Sequence, residues 1–254
     1  MLEIKNLSTG YPGHPVLQNI SLEIPDGAVT VIAGPNGCGK STLLKALAGI
    51  LPASGSAFLD GGELLSLNRR EWARKVAFLP QNRQVPEITV KNLVLHGRFP
   101  YLSYPRRYRR EDCRAAEAAM EKMGVADLAE RNLVTLSGGQ RQKAYIAMAL
   151  AQDTPVVLLD EPNTFLDIAH QLQLMEEARA LAEEGKTVVL VLHDLTMAME
   201  YGDFLAVLSE GSCLFQGRPV EVFLSGCLDR AFGVEVRRFS TPEGWKYCYG
   251  KQIP

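Results

Sequence analysis

Gly34-Pro35-Asn36-Gly37-Cys38-Gly39-Lys40-Ser41-Thr42 fits the pattern G-x-x-x-x-G-K-[ST], which concentrates the means of holding phosphate. Glycines without Cβ atoms let the backbone curl and aim N–H groups inward. A helix starting at the same point adds partial positive charge. Lys40 offers a full charge to β- and γ-phosphates, and the Ser41 hydroxyl can ligate Mg²⁺. The competing reading is a Gly-rich turn that happens to precede Lys-Ser. The flanks argue against it: Val29 to Ala33 reads as a buried strand and Leu43 to Ala48 as the start of a helix.

Further residues could act on a bound phosphate. Asp160 closes the apolar run Val156-Val157-Leu158-Leu159 and is followed by Glu161. A strand-end Asp can hold Mg²⁺, and the neighbouring Glu can deprotonate a water. Taken alone, the pair reads equally well as a helix cap. Gln81 follows the strand-like Val76 to Leu79, and its amide can reach a metal or a water. His193 follows Thr187 to Leu192 and could fix the water, whereas His14, His96 and His170 receive no role. Leu136-Ser137-Gly138-Gly139-Gln140 has the parts of a second anion site: a hydroxyl, open backbone N–H groups and a helix behind them. Its plainer reading is a helix N-cap at Ser137.

These residues must be held by elements that the chain announces in order. Leu2 to Leu7 and Ile20 to Ile24 read as strands around the turn-rich Thr9 to Gly13, with Pro25-Asp26-Gly27 as a turn. Pro52 to Ser56 breaks the helix that follows the phosphate loop, and Ala57 to Leu59 reads as a strand. Asp112 to Met123, Lys143 to Ala151 and Ile168 to Glu184 favour helix. Leu205 to Leu208 and Ser212 to Phe215 read as strands, followed by a short helix at Val220 to Leu224 and strands near Val234 and Tyr247. Alternating strands and helices predict an α/β fold with a mainly parallel sheet flanked by helices, and ligands at the carboxyl ends of its strands. Gln81, the phosphate loop, Asp160-Glu161 and His193 would then share one edge.

Net charge is −2 over 254 residues, so nothing global calls for nucleic acid or an anionic surface. No apolar run approaches the ~18 residues of a membrane span. Met1 to Lys5 alternates like a strand and does not read as a signal peptide. The expected location is cytoplasmic. The five cysteines, Cys38, Cys113, Cys213, Cys227 and Cys248, are scattered without C-x-x-C, which argues against a disulfide framework or a zinc site. Cys38 lies inside the phosphate loop, so alkylating it is expected to weaken nucleotide binding. Tyr101 to Arg110 mixes arginines with aromatics, a composition seen in single-strand nucleic-acid binders. In a chain of this net charge it reads better as a solvated surface, or as one facing a partner protein or lipid headgroups.

Together these stretches resemble the nucleotide-binding subunit of an ATP-binding cassette transporter, over about residues 1 to 220. Gly34 to Thr42 is similar to the Walker A motif and Val156 to Asp160 to Walker B, with Glu161 as catalytic base. Ser137, Gly138, Gly139 and Gln140 match the family signature, Gln81 the Q-loop, Leu166-Asp167 the D-loop, and His193 the switch histidine. Tyr11 matches the aromatic that stacks on adenine, although alone it reads as a half-buried surface residue.

The resemblance implies a P-loop core at about 1–88 and 153–220. It further implies an N-terminal antiparallel β subdomain, a helical subdomain at about 89–152 and a C-terminal extension at 221–254. It implies ATP and Mg²⁺, the metal held by Ser41, Gln81 and Asp160. Two copies would pair head to tail, the Ser137-Gly138-Gly139 of one closing over ATP on the other. Partners would be an integral membrane permease at the cytoplasmic face, docking near residues 81–104, and indirectly an extracytoplasmic substrate-binding protein. Nucleic acid is not expected. Asn163 stands where the family usually has Thr.

Val90 to Pro100, with its Gly97-Arg98-Phe99-Pro100, is similar to importers of ferric siderophores, haem and cobalamin. Ala149 to Pro155, Phe165-Leu166-Asp167 and Gly217-Arg218-Pro219 point the same way, with the siderophore branch nearest. The alternatives are haem or cobalamin uptake, or a non-transport cassette such as an ATPase of iron–sulfur cluster assembly.

Overall fold

The computed structural model describes residues 1–81, 84–164, 166–242 and 244–251. Phe165 of the Phe165-Leu166-Asp167 stretch lies outside the described residues.

The chain opens with a long hairpin, β1 (Leu2–Tyr11) and β2 (His14–Ile24), then β3 (Val29–Ala33), α1 (Lys40–Leu47), β4 (Ala53–Leu59) and β5 (Gly62–Glu63). The turn expected over Thr9 to Gly13 narrows to Pro12-Gly13, because Thr9 and Gly10 pair with Leu17 and Pro15 and carry the strand on to Tyr11. β4 starts at Ala53, inside the stretch read only as a helix breaker. It pairs antiparallel with β1, giving a sheet of order β2-β1-β4-β5.

Next come α2 (Arg69–Trp72), β6 (Val76–Leu79), α3 (Val90–His96), α4 (Arg110–Lys122) and α5 (Gly138–Ala151). Then follow β7 (Val156–Asp160), α6 (Ile168–Glu183), β8 (Thr187–Val191), α7 (Leu195–Tyr201), β9 (Phe204–Ser209) and β10 (Ser212–Gly217). The chain ends with α8 (Pro219–Leu224), α9 (Cys227–Phe232) and the hairpin β11 (Val234–Thr241) and β12 (Gly244–Lys251). The second sheet has order β10-β9-β3-β8-β7-β6, parallel except for β10.

Its central strands are covered on both faces, which is why their sequences run apolar without a break. Val156 and Leu158 of β7 face the hairpin and α1, whereas Val157 and Leu159 face the helices. β8 alternates in the same way, with Val189 and Val191 on the first side and Val188 and Leu190 on the second. Because β3, β8, β7 and β6 are parallel neighbours, their carboxyl ends present one edge.

Candidate nucleotide site

The loop from β3 into α1 is shaped by glycines with backbones in the left-handed range: Gly34 at φ 153°, Gly37 at 80° and Gly39 at 108°. Two of them also lack room for a side chain. A Cβ on Gly34 would stand 2.2 Å from the Leu208 carbonyl oxygen, and one on Gly39 would stand 2.4 Å from Leu17 Cδ2. Gly39 is the N-cap of α1 and supplies no side-chain cap, so the first turn offers its N–H groups outward. Lys40 is buried, and its Nζ donates to the carbonyls of Gly34 at 2.7 Å and Pro35 at 2.9 Å. The ammonium thus lies folded across the loop, where an anion would compete for it.

At the end of β7, Asp160 is buried and accepts a hydrogen bond from Ser41 Oγ at 2.9 Å. Burial pushes its carboxyl above the usual range, a rise the Ser41 hydrogen bond partly offsets. The donors that meet here are oxygens, the chemistry a hard divalent cation selects. Glu161 is also buried, with a positive φ of 49°, and its N–H donates to the Val191 carbonyl at 3.2 Å. A residue with a Cβ reaches that region at a cost of about 1–2 kcal/mol. One Glu161 oxygen accepts from Gln81 Nε2, and the other lies 2.6 Å from His193 Nε2. Three strand ends therefore converge on one carboxylate.

A cavity of about 490 Å³ opens onto this edge, lined by Lys40, Ser41, Thr42, Gln81, Glu161 and His193, with Asn36, Gly37 and Gly39 of the loop. Tyr11 and Val16 form its apolar wall. The Tyr11 ring is half-exposed, and Lys45 Nζ donates to its hydroxyl at 3.3 Å. Pro35 reaches the site through its carbonyl on Lys40. Cys38 is buried under the loop, and burial raises its thiol pKa. It supports the loop from beneath and lies away from the cavity lining.

Ser137, Gly138, Gly139 and Gln140 are elsewhere and do not line that cavity. Ser137 is exposed and caps α5: its Oγ accepts from Gln140 N–H at 3.3 Å, and Gln140 Oε1 accepts from Ser137 N–H at 3.2 Å. The hydroxyl proton and the first N–H groups of α5 remain available to an outside acceptor. A Cβ on Gly139 would stand 3.7 Å from Leu166 Cδ2 and 4.0 Å from His170, so this turn sits beside the start of α6. There Asp167 is the exposed N-cap, accepting from His170 N–H at 2.9 Å and meeting His170 Nδ1 at 2.7 Å. Its carboxyl is held below the usual range, first by the His170 backbone N–H and then by the His170 ring.

Residues 17–164, more than half of the chain, match the family described as ABC transporter. The chain belongs to that family. It is an ABC-transporter ATPase subunit, and the P-loop core, the antiparallel N-terminal sheet and the helical insertion between β6 and β7 are the family's fold. The cassette is 44% identical over 241 residues to the ferric enterobactin transport ATP-binding protein FepC of Escherichia coli (strain K12), covering 94% of this chain and 89% of that one. It is 38% identical over 244 residues to the iron(3+)-hydroxamate import ATP-binding protein FhuC of Bacillus subtilis (strain 168), covering 95% and 89%. Among solved structures it superposes at TM-score 0.84 and 26% identity on an inward-facing ABC transporter assigned to the metal-chelate type, covering 99% and 97% of the two chains. It superposes at 0.75 and 28% identity on the dimeric bacterial cassette MJ0796, covering 86% and 99%.

Three features of the cassette escape a reading by motif. Gln142 Nε2 donates to the Pro162 carbonyl at 2.5 Å, and Tyr145 Oη donates to the Gln84 carbonyl at 2.9 Å. These bonds tie α5 to the segments that follow Glu161 and Gln81, and no sequence spacing announces them. His170, given no role above, stands on Asp167; an N-cap Asp with His three residues on was the available signal. Finally, Gly97-Arg98 has a local explanation. A Cβ on Gly97 would stand 2.2 Å from the Met148 carbonyl oxygen. Arg98 Nε lies 3.1 Å from the buried Asp112 carboxylate, and its Nη1 donates to the Ala151 carbonyl at 2.9 Å. The stretch locks α3, α4 and α5 together.

Proposed function

We propose that this cassette couples ATP hydrolysis to uptake of a ferric siderophore through a separate membrane permease, as one of two copies paired head to tail. The observation that carries the catalytic part is Glu161, bracketed by Gln81 and His193 beside the phosphate loop. The iron-chelate part is supported by relatives whose own names describe ferric enterobactin and iron(3+)-hydroxamate transport.

In this reading Lys40 exchanges the Gly34 and Pro35 carbonyls for phosphate oxygens, and the loop N–H groups take the remainder. Tyr11 stacks on the adenine. Glu161 accepts a proton from the attacking water, which Gln81 and His193 orient. Ser41, Asp160 and Gln81 would hold Mg²⁺, and their oxygen donors suit an ion that keeps much of its water. When bound, the ion offsets charge on the transferring phosphate.

Ser137, Gly138 and Gly139 complete the pocket of the partner copy, with Asp167 beside them. Support comes from the exposed, outward-facing cap of α5 and from the dimeric state of the solved relative. ATP then binds the closed pair better than the open one, which is what drives closure.

The core is assigned to about 1–88 and 153–220, the helical subdomain to about 89–152 and the extension to 221–254. No helix among the described residues is long and apolar enough to cross a membrane. Relatives named as transport ATP-binding proteins support assigning the cassette to the cytoplasmic face of a permease, which would dock near residues 81–104. A groove of about 600 Å³ between the end of α1, α2 and β6, including Trp72 and Phe78, adjoins that stretch, because Arg70 of α2 donates to the Pro100 and Leu102 carbonyls. An extracytoplasmic binding protein would act through the permease.

The test is reconstitution with the co-purifying permease and labelled ferric siderophore, haem and cobalamin. ATP-dependent uptake of the siderophore alone is expected. Uptake of cobalamin or haem in its place overturns the cargo, and co-purification of a soluble scaffold in place of a polytopic protein overturns the transport role.

A further inference from the structure

The arginine-rich segment between α3 and α4 plays no part in the catalytic reading. Between Glu87 and Glu111 the chain carries Lys91, Arg98, Arg106, Arg107, Arg109 and Arg110 and no acidic residue, in a protein of net charge −2. Residues 103–110 are all exposed, and Tyr104 is 96% exposed. The segment is nonetheless anchored. Arg70 donates from Nε to the Pro100 carbonyl at 2.9 Å and from Nη2 to the Leu102 carbonyl at 2.7 Å, and Arg74 Nε donates to Pro100 at 3.1 Å. Arg109 Nη2 donates to Ser103 Oγ at 3.2 Å.

Lys91, Arg98 and Arg109 each meet a carboxylate, of Glu130, Asp112 and Glu111 respectively, and three cations remain. Arg106 lies over the Phe99 ring at 4.8 Å, and neither it nor Arg107 nor Arg110 meets a carboxylate among the described residues. Exposed tyrosines, with apolar bodies and polar tips, alternate with these guanidinium groups. That combination suits the boundary between headgroups and acyl chains.

We propose that residues 103–110 form a second membrane contact that binds anionic phospholipid headgroups directly, independently of the permease. Charge complementarity selects the occupant: a locally uncompensated cationic surface on an otherwise acidic protein. Position agrees with it. The same helix α2 that anchors the segment lines the groove assigned to the permease, through Arg69 and Trp72. This positional argument rests on the docking reading given above, but the vesicle experiment does not, because it contains no permease. Single-stranded RNA is the weaker partner, since such sites track a strand along a cationic groove, and residues 103–110 stand exposed to solvent throughout.

The experiment is co-sedimentation of the whole cassette with vesicles of phosphatidylglycerol mixed into phosphatidylcholine, and of phosphatidylcholine alone. Each basic residue near an anionic surface contributes about fivefold to partitioning, so R106Q/R107Q/R110Q should weaken binding on the order of 100-fold. ATP binding should be unchanged. Arg107→Glu alone should weaken partitioning by more than about fivefold, because it also adds repulsion. Raised salt should act in the same direction. Equal sedimentation with both vesicle types, equal binding by the variants, or tighter binding to a single-stranded RNA oligonucleotide at the same salt would each overturn the proposal.

Discussion

Two helices of this cassette begin behind glycine-containing turns, and they treat their first N–H groups in opposite ways. α1 has no side-chain cap, its lysine is folded back over the loop, and the cavity in front of it is walled by residues of the same chain. α5 is capped by its own serine and glutamine, and its cap, Ser137, is exposed while Gly138 and Gly139 are half-buried. The first is a pocket built to be filled, and the second is a surface built to be applied. The difference fits the proposal that the second turn serves a phosphate held by another copy. In the pairing proposed above, one copy would hold the phosphate and the other copy's helix would close on it.

The largest effect that sharpens this division belongs to the first helix's side. Glu161→Gln keeps the Gln81 and His193 contacts nearly isosteric but removes the proton acceptor, so turnover should fall by about 10²–10⁴-fold with ATP binding intact. Size-exclusion chromatography with ATP should then show a trapped pair. Hydrolysis at the parental rate would remove Glu161 from its role.

The second helix's side is tested by Ser137→Arg, which puts a bulky side chain where, in the proposed pair, the partner's phosphate would approach. Hydrolysis should be lost while ATP binding by the same chain is unchanged, as read by fluorescent-nucleotide titration. If binding and hydrolysis fell together, the two helices would be serving one pocket within one chain.

Tyr11→Ala should weaken nucleotide affinity by roughly 5–150-fold through lost stacking, without altering the dimer's rate at saturation. A smaller effect is expected from Asp160→Asn. Burial raises the Asp160 carboxyl above its unfolded value. The folded state therefore holds its proton to a higher pH, and the cost in stability sets in above the unfolded pKa and is complete above the folded one. Asp160→Asn should raise the melting temperature at neutral pH and lose that advantage below the unfolded pKa, even though activity is impaired. Alkylation of Cys38 should be slow, because the thiol is buried and its pKa raised, and nucleotide should slow it further. Rapid modification would mean the loop opens readily.

The catalytic edge was legible because it is local. Four apolar runs each end in a polar residue, and parallel order puts those ends together. The glycines of the phosphate loop were legible for the same reason, each answering a backbone or space constraint. What was not legible is short or distant. α2 has four residues, too few for a periodic pattern, although Asn68 and Glu71 form a capping box that announced it. α9 runs from Cys227 to Phe232, between Gly226 and Gly233, both in left-handed conformations, and was missed for its brevity. The extension of β1 to Tyr11 depends on pairing across the hairpin, which overrides the turn preference of Thr9-Gly10. Gln142 and Tyr145 read as ordinary helix residues because their partners lie 20 and 61 positions away in sequence.

Those two side chains also change what α5 is mechanically. Its leading end carries the exposed Ser137 cap, and its flank is moored to the backbone at Pro162 and Gln84. A displacement of the tip would bear on two carbonyls at once, one just past Glu161 and one three residues past Gln81. If the proposed pairing holds, the rod that meets the neighbour's nucleotide is also tied to the segments beside its own pocket, and a rearrangement in one would be felt in the other.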